Sequence, residues 1–81
     1  MTVADIEDGL TGIFRATFDN DTLQLSARTT ERDIPGWDSV KMVKLILATE
    51  ERFAIRMRAR EIDALKCFGD WVRLVQSKVG G

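Results

Sequence analysis

An all-α domain of four helices, three of them full length and the third very short, is the fold this sequence predicts. Three observations carry that reading. Apolar residues recur at spacings of three and four in separate stretches, alternation is confined to Ala54–Arg58, and no internal repeat, linker or low-complexity tract interrupts the chain. With 81 residues there is material for one domain, 1–81, and not for two.

The first helix is expected over about 3–18. Thr2 stands where an N-cap belongs and Asp5 follows three residues later, the capping-box relation. Val3, Ile6, Leu10, Ile13, Phe14 and Phe18 then mark one apolar face, and Asp19-Asn20-Asp21 stops the helix. Residues 19–38 show neither helical nor clean alternating periodicity. They read as a long loop pinned to the core by Leu23, Leu25 and Ile34, and a loop of about this length in a small domain is usually functional or disordered.

The second helix is expected over 39–53. Lys41, Lys44, Ala48, Glu51 and Arg52 fall within one polar arc of about 100°. Val40, Met42, Val43, Leu45, Ile46, Leu47 and Phe53 fill most of the rest, a wider apolar sector than one neighbouring helix requires. Glu50 falls inside it and must be hydrogen-bonded or at its rim. A short helix over about 59–65 carries Ile62 and Leu65. In the last helix, about 68–78, Phe68, Trp71, Val72 and Val75 form the buried stripe, Cys67 acts as a weak cap, and Gly80-Gly81 is a frayed tail.

Composition excludes several classes of function. Histidine is absent, which removes the commonest general base, the usual serine activator and the commonest zinc ligand. Cys67 is the single cysteine, so the chain closes no disulfide and offers no Cys-rich metal site; it reads as a small buried hydrophobe. No signal peptide opens the sequence, and the longest apolar run, Leu45–Ala48, is too short to span a bilayer. The expectation is a cytoplasmic monomer that is not an enzyme and holds no metal. The net charge of −1 divides into −5 over residues 1–40 and +4 over residues 41–81. Arg56, Arg58 and Arg60 are a thin footprint for nucleic acid in a chain that is not basic overall, and read as a solvated loop.

The informative stretch is Gly36-Trp37-Asp38-Ser39-Val40, where an irregular loop meets a helix start. A serine there holds its hydroxyl at the positive end of the helix dipole, beside unpaired N–H groups, which suits a phosphate ester. Asp38 can cap the same N–H groups. By itself Asp-Ser at a helix start does no more than cap. Trp37 belongs either to the core or to a partly exposed position flanking Ser39.

In its surroundings the segment resembles the acyl carrier protein family. That family's motif, Gly-x-Asp-Ser-Leu, opens a helix closing in an acidic stretch and Phe; here Val40 replaces Leu and the helix closes in Glu50-Glu51-Arg52-Phe53. The resemblance covers most of the chain, and Ile34-Pro35-Gly36 with Glu51-Arg52-Phe53-Ala54-Ile55 looks most like stand-alone bacterial carriers of specialised pathways. It implies a four-helix carrier domain whose Ser39, next to Asp38, bears 4′-phosphopantetheine placed there from coenzyme A by a phosphopantetheinyl transferase. Without a base in the chain, serine is a poor nucleophile, so activation falls to that transferase. The arm's thiol would hold an acyl thioester loaded by a ligase or transferase and passed to acyl-using enzymes of a lipid, polyketide or cell-envelope pathway.

The resemblance further implies a partner surface at Val40, Lys41, Val43, Lys44 and Leu47, and an acyl shelter where Ile46, Phe53, Ile62 and Leu65 converge beneath the arm. Lys41 and Lys44, three apart and facing outward together, stand where the family usually has acids or neutral residues. They favour partners with acidic or mixed docking surfaces. The rival reading is a small helical protein-interaction or DNA-binding domain without a prosthetic group.

Overall fold

The computed structural model describes residues 1–79, so the tail at Gly80-Gly81 lies outside the described residues. Four α-helices follow in order: α1 Val3–Thr17, α2 Ser39–Phe53, α3 Ala59–Asp63 and α4 Phe68–Val79. Among the described residues there is no strand.

Local chemistry sets the ends of α1. Thr2 Oγ1 accepts the Asp5 N–H and Asp5 Oδ2 accepts the Thr2 N–H, both at 3.1 Å, closing the capping box. The Thr2 N–H, with the Thr2 hydroxyl, holds the Asp5 carboxyl below its usual range. At the other end Asp19 turns left-handed (φ 50°), and the Asn20 N–H reaches the Arg15 carbonyl at 2.9 Å. That is a Schellman stop made with Asp rather than Gly. Of the expected apolar face, Ile6, Leu10 and Phe14 are buried, while Val3 is exposed in the first turn.

The long connection after α1 is not featureless. A 3₁₀ turn at Glu31–Asp33 interrupts it, with the Asp33 carboxylate accepting the Thr30 N–H at 2.8 Å. Leu23 and Leu25 pack on the core, Ile34 is buried within it, and the Leu23 carbonyl accepts Arg15 Nε at 2.9 Å. The loop also closes the start of α4. Thr29 and Ala27 carbonyls accept the Phe68 and Gly69 N–H groups at 2.8 and 3.0 Å, satisfying donors that the helix cannot pair internally. A side chain at Gly69 would bring its Cβ to 3.0 Å from the Ala27 carbonyl, so glycine permits this approach.

Cys67, expected as a weak cap, plays a different part. The Asp70 carboxylate caps α4 by accepting the Lys66 and Cys67 N–H groups at 2.8 and 3.2 Å, and it also pairs with Arg73. The bond from the Lys66 N–H is the main reason the Asp70 carboxyl is held below its usual range.

α1, α2 and α4 pack around a core centred on Phe14, whose ring meets Trp37, Phe68 and Trp71 edge-on at 5.6, 5.3 and 5.4 Å. Leu45 and Phe53 join it from α2, Met57 from the segment after it, and Val72 and Val75 from α4. α3 is one short helix, ending two residues before the expected 65. It is fastened by the half-buried Ile62 and by an ion pair from Glu61 to Lys78 of α4 at 3.0 Å. Glu61 also accepts the Arg58 N–H at 2.8 Å, the leading cause of its lowered pKa.

Candidate functional site

Gly36 adopts φ +85°, a left-handed turn that any side chain would strain, and it swings the chain from Pro35 toward α2. Trp37 follows half-buried, wedged against Phe14 and, at 5.5 Å, against Phe18. Of the two positions left open for Trp37, the structure shows a blend: it packs on the core through Phe14 and Phe18 and stays partly exposed.

Asp38 is the N-cap of α2. Its backbone is extended, its carboxylate accepts the Lys41 N–H at 2.9 Å, and its carbonyl accepts the Met42 N–H at 2.9 Å. Ser39 is the first residue of the helix and is exposed. The N–H groups of Ser39 and Val40 have no hydrogen-bond acceptor among the described residues. The site therefore offers one free hydroxyl, two open N–H donors and the positive end of a 15-residue helix. These features fit a phosphodiester on Ser39. Nucleophilic chemistry by the chain itself does not fit, because the neighbouring carboxylate is engaged with backbone and no imidazole exists.

Beside Ser39, Val40, Val43 and Leu47 stand 60%, 54% and 59% exposed in one row on α2, with exposed Lys44 next to them. Three large aliphatic groups left in water at helical spacing form an apolar stripe that α1 and α4 do not cover. Lys41 departs from the expectation. It does not face outward with Lys44; it is half-buried and its Nζ donates to the Thr17 carbonyl at 3.2 Å. The last turn of α1 lies against the first turn of α2, and an ammonium at a helix C-terminus meets unpaired carbonyls and the negative end of a dipole. Arg52 also leans toward α1, over the Phe53 ring at 5.3 Å. Glu50 behaves as the wheel requires, accepting the Met57 N–H at 2.8 Å at the rim of the core.

The four residues expected to shelter an acyl chain all pack on the core: Phe53 is buried, and Ile46, Ile62 and Leu65 are half-buried. Only Leu65 borders the cavity that lies near Ser39. That cavity, about 170 Å³, runs between the long loop, α1 and the start of α4, and Trp37, Met42, Phe14 and Trp71 also line it. Ile46, Phe53 and Ile62 do not line it. A residue that sequence reasoning missed is Thr49, wholly buried on α2 with its hydroxyl unpaired among the described residues. Its helical phase beside Leu45 and Phe53 was the available signal. No group of His, Cys, Asp or Glu among the described residues could hold a metal, and no described helix is long and apolar enough to cross a membrane.

Fold and site together define a small four-helix domain that displays one serine at a helix start beside an uncovered apolar stripe. No family model matches the chain. It is similar, with a TM-score of 0.87 and 37% identity, to the holo acyl carrier protein of Geobacter metallireducens known from a solution NMR structure. The match covers 93% of this chain and 86% of that one. The chain belongs to the acyl carrier protein family.

Proposed function

We propose that this protein carries acyl groups on a 4′-phosphopantetheine arm esterified to Ser39, and that it catalyses no reaction itself. The observation that carries the reading is the exposed hydroxyl of Ser39 at the N-terminus of α2, with the Ser39 and Val40 N–H groups open beside it. The arm, transferred from coenzyme A by a phosphopantetheinyl transferase, supplies the thiol on which an acyl group rides as a thioester. The chain's own part is to present Ser39 Oγ clear of the bundle, to hold the helix start rigid through Asp38, and to place phosphate oxygens near open N–H donors.

Val40, Val43 and Leu47 supply the apolar contact for partner enzymes, and Lys44 steers them. A positive charge at that place selects partners with acidic or mixed surfaces, because charges at the rim of an interface act chiefly on association rate and partner choice. A loading ligase or transferase and the acyl-using enzymes of a specialised lipid, polyketide or cell-envelope pathway are the partner classes this favours, in the cytoplasm and with the carrier as a monomer.

The test is incubation with coenzyme A and a broad-specificity phosphopantetheinyl transferase, read by intact mass and peptide mapping. One arm on Ser39 is expected, and none on Ser39→Ala, whose fold survives because an exposed helix-start substitution costs at most about 1 kcal/mol. Modification persisting in Ser39→Ala, or absent from the wild-type chain, overturns the proposal.

A further inference from the structure

The shape of the cavity beside Ser39 bears on what the arm carries. Trp37, two residues before Ser39, and Met42, three residues after it, both line the cavity, so it lies against the first turn of α2. Four rings line it, Phe14, Trp37, Phe68 and Trp71, alongside the charged Glu31 and Lys66. It is built rather than incidental. Phe14 holds three of the rings edge-on around itself, and the Thr29–Phe68 and Ala27–Gly69 backbone bonds clamp the loop wall to α4.

A more open depression lies outside it, lined by Thr30, Glu31, Arg32, Trp37 and Lys66. The two share Glu31, Trp37 and Lys66, so two charged side chains stand where they adjoin. The amides of a pantetheine arm need polar company, whereas the acyl group at its tip need not.

At about 170 Å³ the cavity is ring-sized, since a cavity of about 150 Å³ in another protein takes up benzene. A long linear chain has no room there. Flat rings also stack edge-on against a wall of rings better than flexible methylenes do. We infer that the cargo of this carrier is a compact ring-sized acyl group, an aroyl thioester, held between the long loop and the start of α4 rather than among Ile46, Phe53 and Ile62. The inference rests on the reading of Ser39 as the attachment site.

The experiment loads the full chain from coenzyme A analogues whose arms end in an amide-linked benzoyl or decanoyl group, with the unacylated arm as reference. Intact mass reports attachment; the amide and indole signals of ¹⁵N-labelled protein and the melting temperature report where the cargo lies. The benzoyl arm should shift the Trp37 and Trp71 indole signals and the Met42, Leu65 and Cys67 amides, and raise the melting temperature by several degrees. The decanoyl arm should do less at these positions. Leu65→Trp and Met42→Phe, each checked for folding before loading, should fill the cavity and abolish the benzoyl-dependent rise while leaving attachment intact. Attachment by mass with these signals unmoved, or moved further by decanoyl than by benzoyl, overturns the cargo inference and leaves Ser39 standing. No mass gain on the wild-type chain overturns both.

Discussion

Replacing Thr49 with Val should make the protein more stable. Thr49 is 0% exposed on the core side of α2, and its Oγ1 finds no hydrogen-bond partner among the described residues. A buried hydroxyl left unpaired costs about 1–3 kcal/mol. Valine keeps the β-branched shape, opens no cavity and has nearly the same helix propensity, so the change removes the penalty and little else. A gain of about 1–2 kcal/mol follows, and in a domain of this size each kcal/mol raises the melting temperature by about 4–8 °C. Urea denaturation followed by tryptophan fluorescence measures it, because Trp37 and Trp71 both lie against the core. Thr49→Ala is the comparison: it also removes the hydroxyl but leaves a void, so it should gain less or lose. Modification at Ser39 should be unchanged, since ten residues of helix put the two positions about 15 Å apart. A valine variant with an unchanged or lower urea midpoint at equal slope would refute the reasoning. It would mean that the hydroxyl already has a partner, such as the carbonyl one turn back.

Two glycines of α1 should respond oppositely to alanine. Gly12 has open space around its Cβ position, so Gly12→Ala gains about 0.5–1 kcal/mol, whereas a Cβ at Gly9 lies 2.8 Å from Phe53 Cζ. Gly9→Ala therefore loses about 1 kcal/mol net in the same denaturation assay, overpacking outweighing propensity. Lys44→Glu should slow loading by the cognate enzyme at low salt, by stopped flow, with stability unchanged within about 0.5 kcal/mol. Lys41→Met should instead cost about 0.3–1 kcal/mol, because its ammonium serves the end of α1. Stability should also fall in acid. Asp5 and Asp70 have carboxyls depressed from 3.8 and Glu61 from 4.5, so their contribution is present above those values and is lost as pH drops through the lower folded ones. Asp70→Asn should flatten that acid limb, and an equally steep fall below pH 4 in the variant would count against Asp70 as a contributor.

The ends of the helices were legible because they are local. The capping box of Thr2 and Asp5, the Asp38 cap and the span Ser39–Phe53 depend on groups three or four residues apart, whose geometry the helix itself supplies. The same locality made Ser39 conspicuous, since a helix start exposes donors whatever the rest of the fold does. The 3₁₀ turn at Glu31–Asp33 escaped because three residues carry no period.

What the sequence by itself determined was four helices, an exposed serine at the head of the second, and too many apolar residues on that helix for the bundle to cover. Which of two lysines three apart serves a neighbour, that Thr49 is entombed without a partner, and that the space beside Ser39 is walled by Trp37, Met42 and Leu65 were decided only by the tertiary structure. The physical reason is that periodicity gives the angle of a side chain about its own helix axis, while burial and pairing depend on what stands opposite. Here that is the last turn of α1 against Lys41, and a loop clamped to α4 by two backbone hydrogen bonds, a placement on which no residue of α2 bears locally.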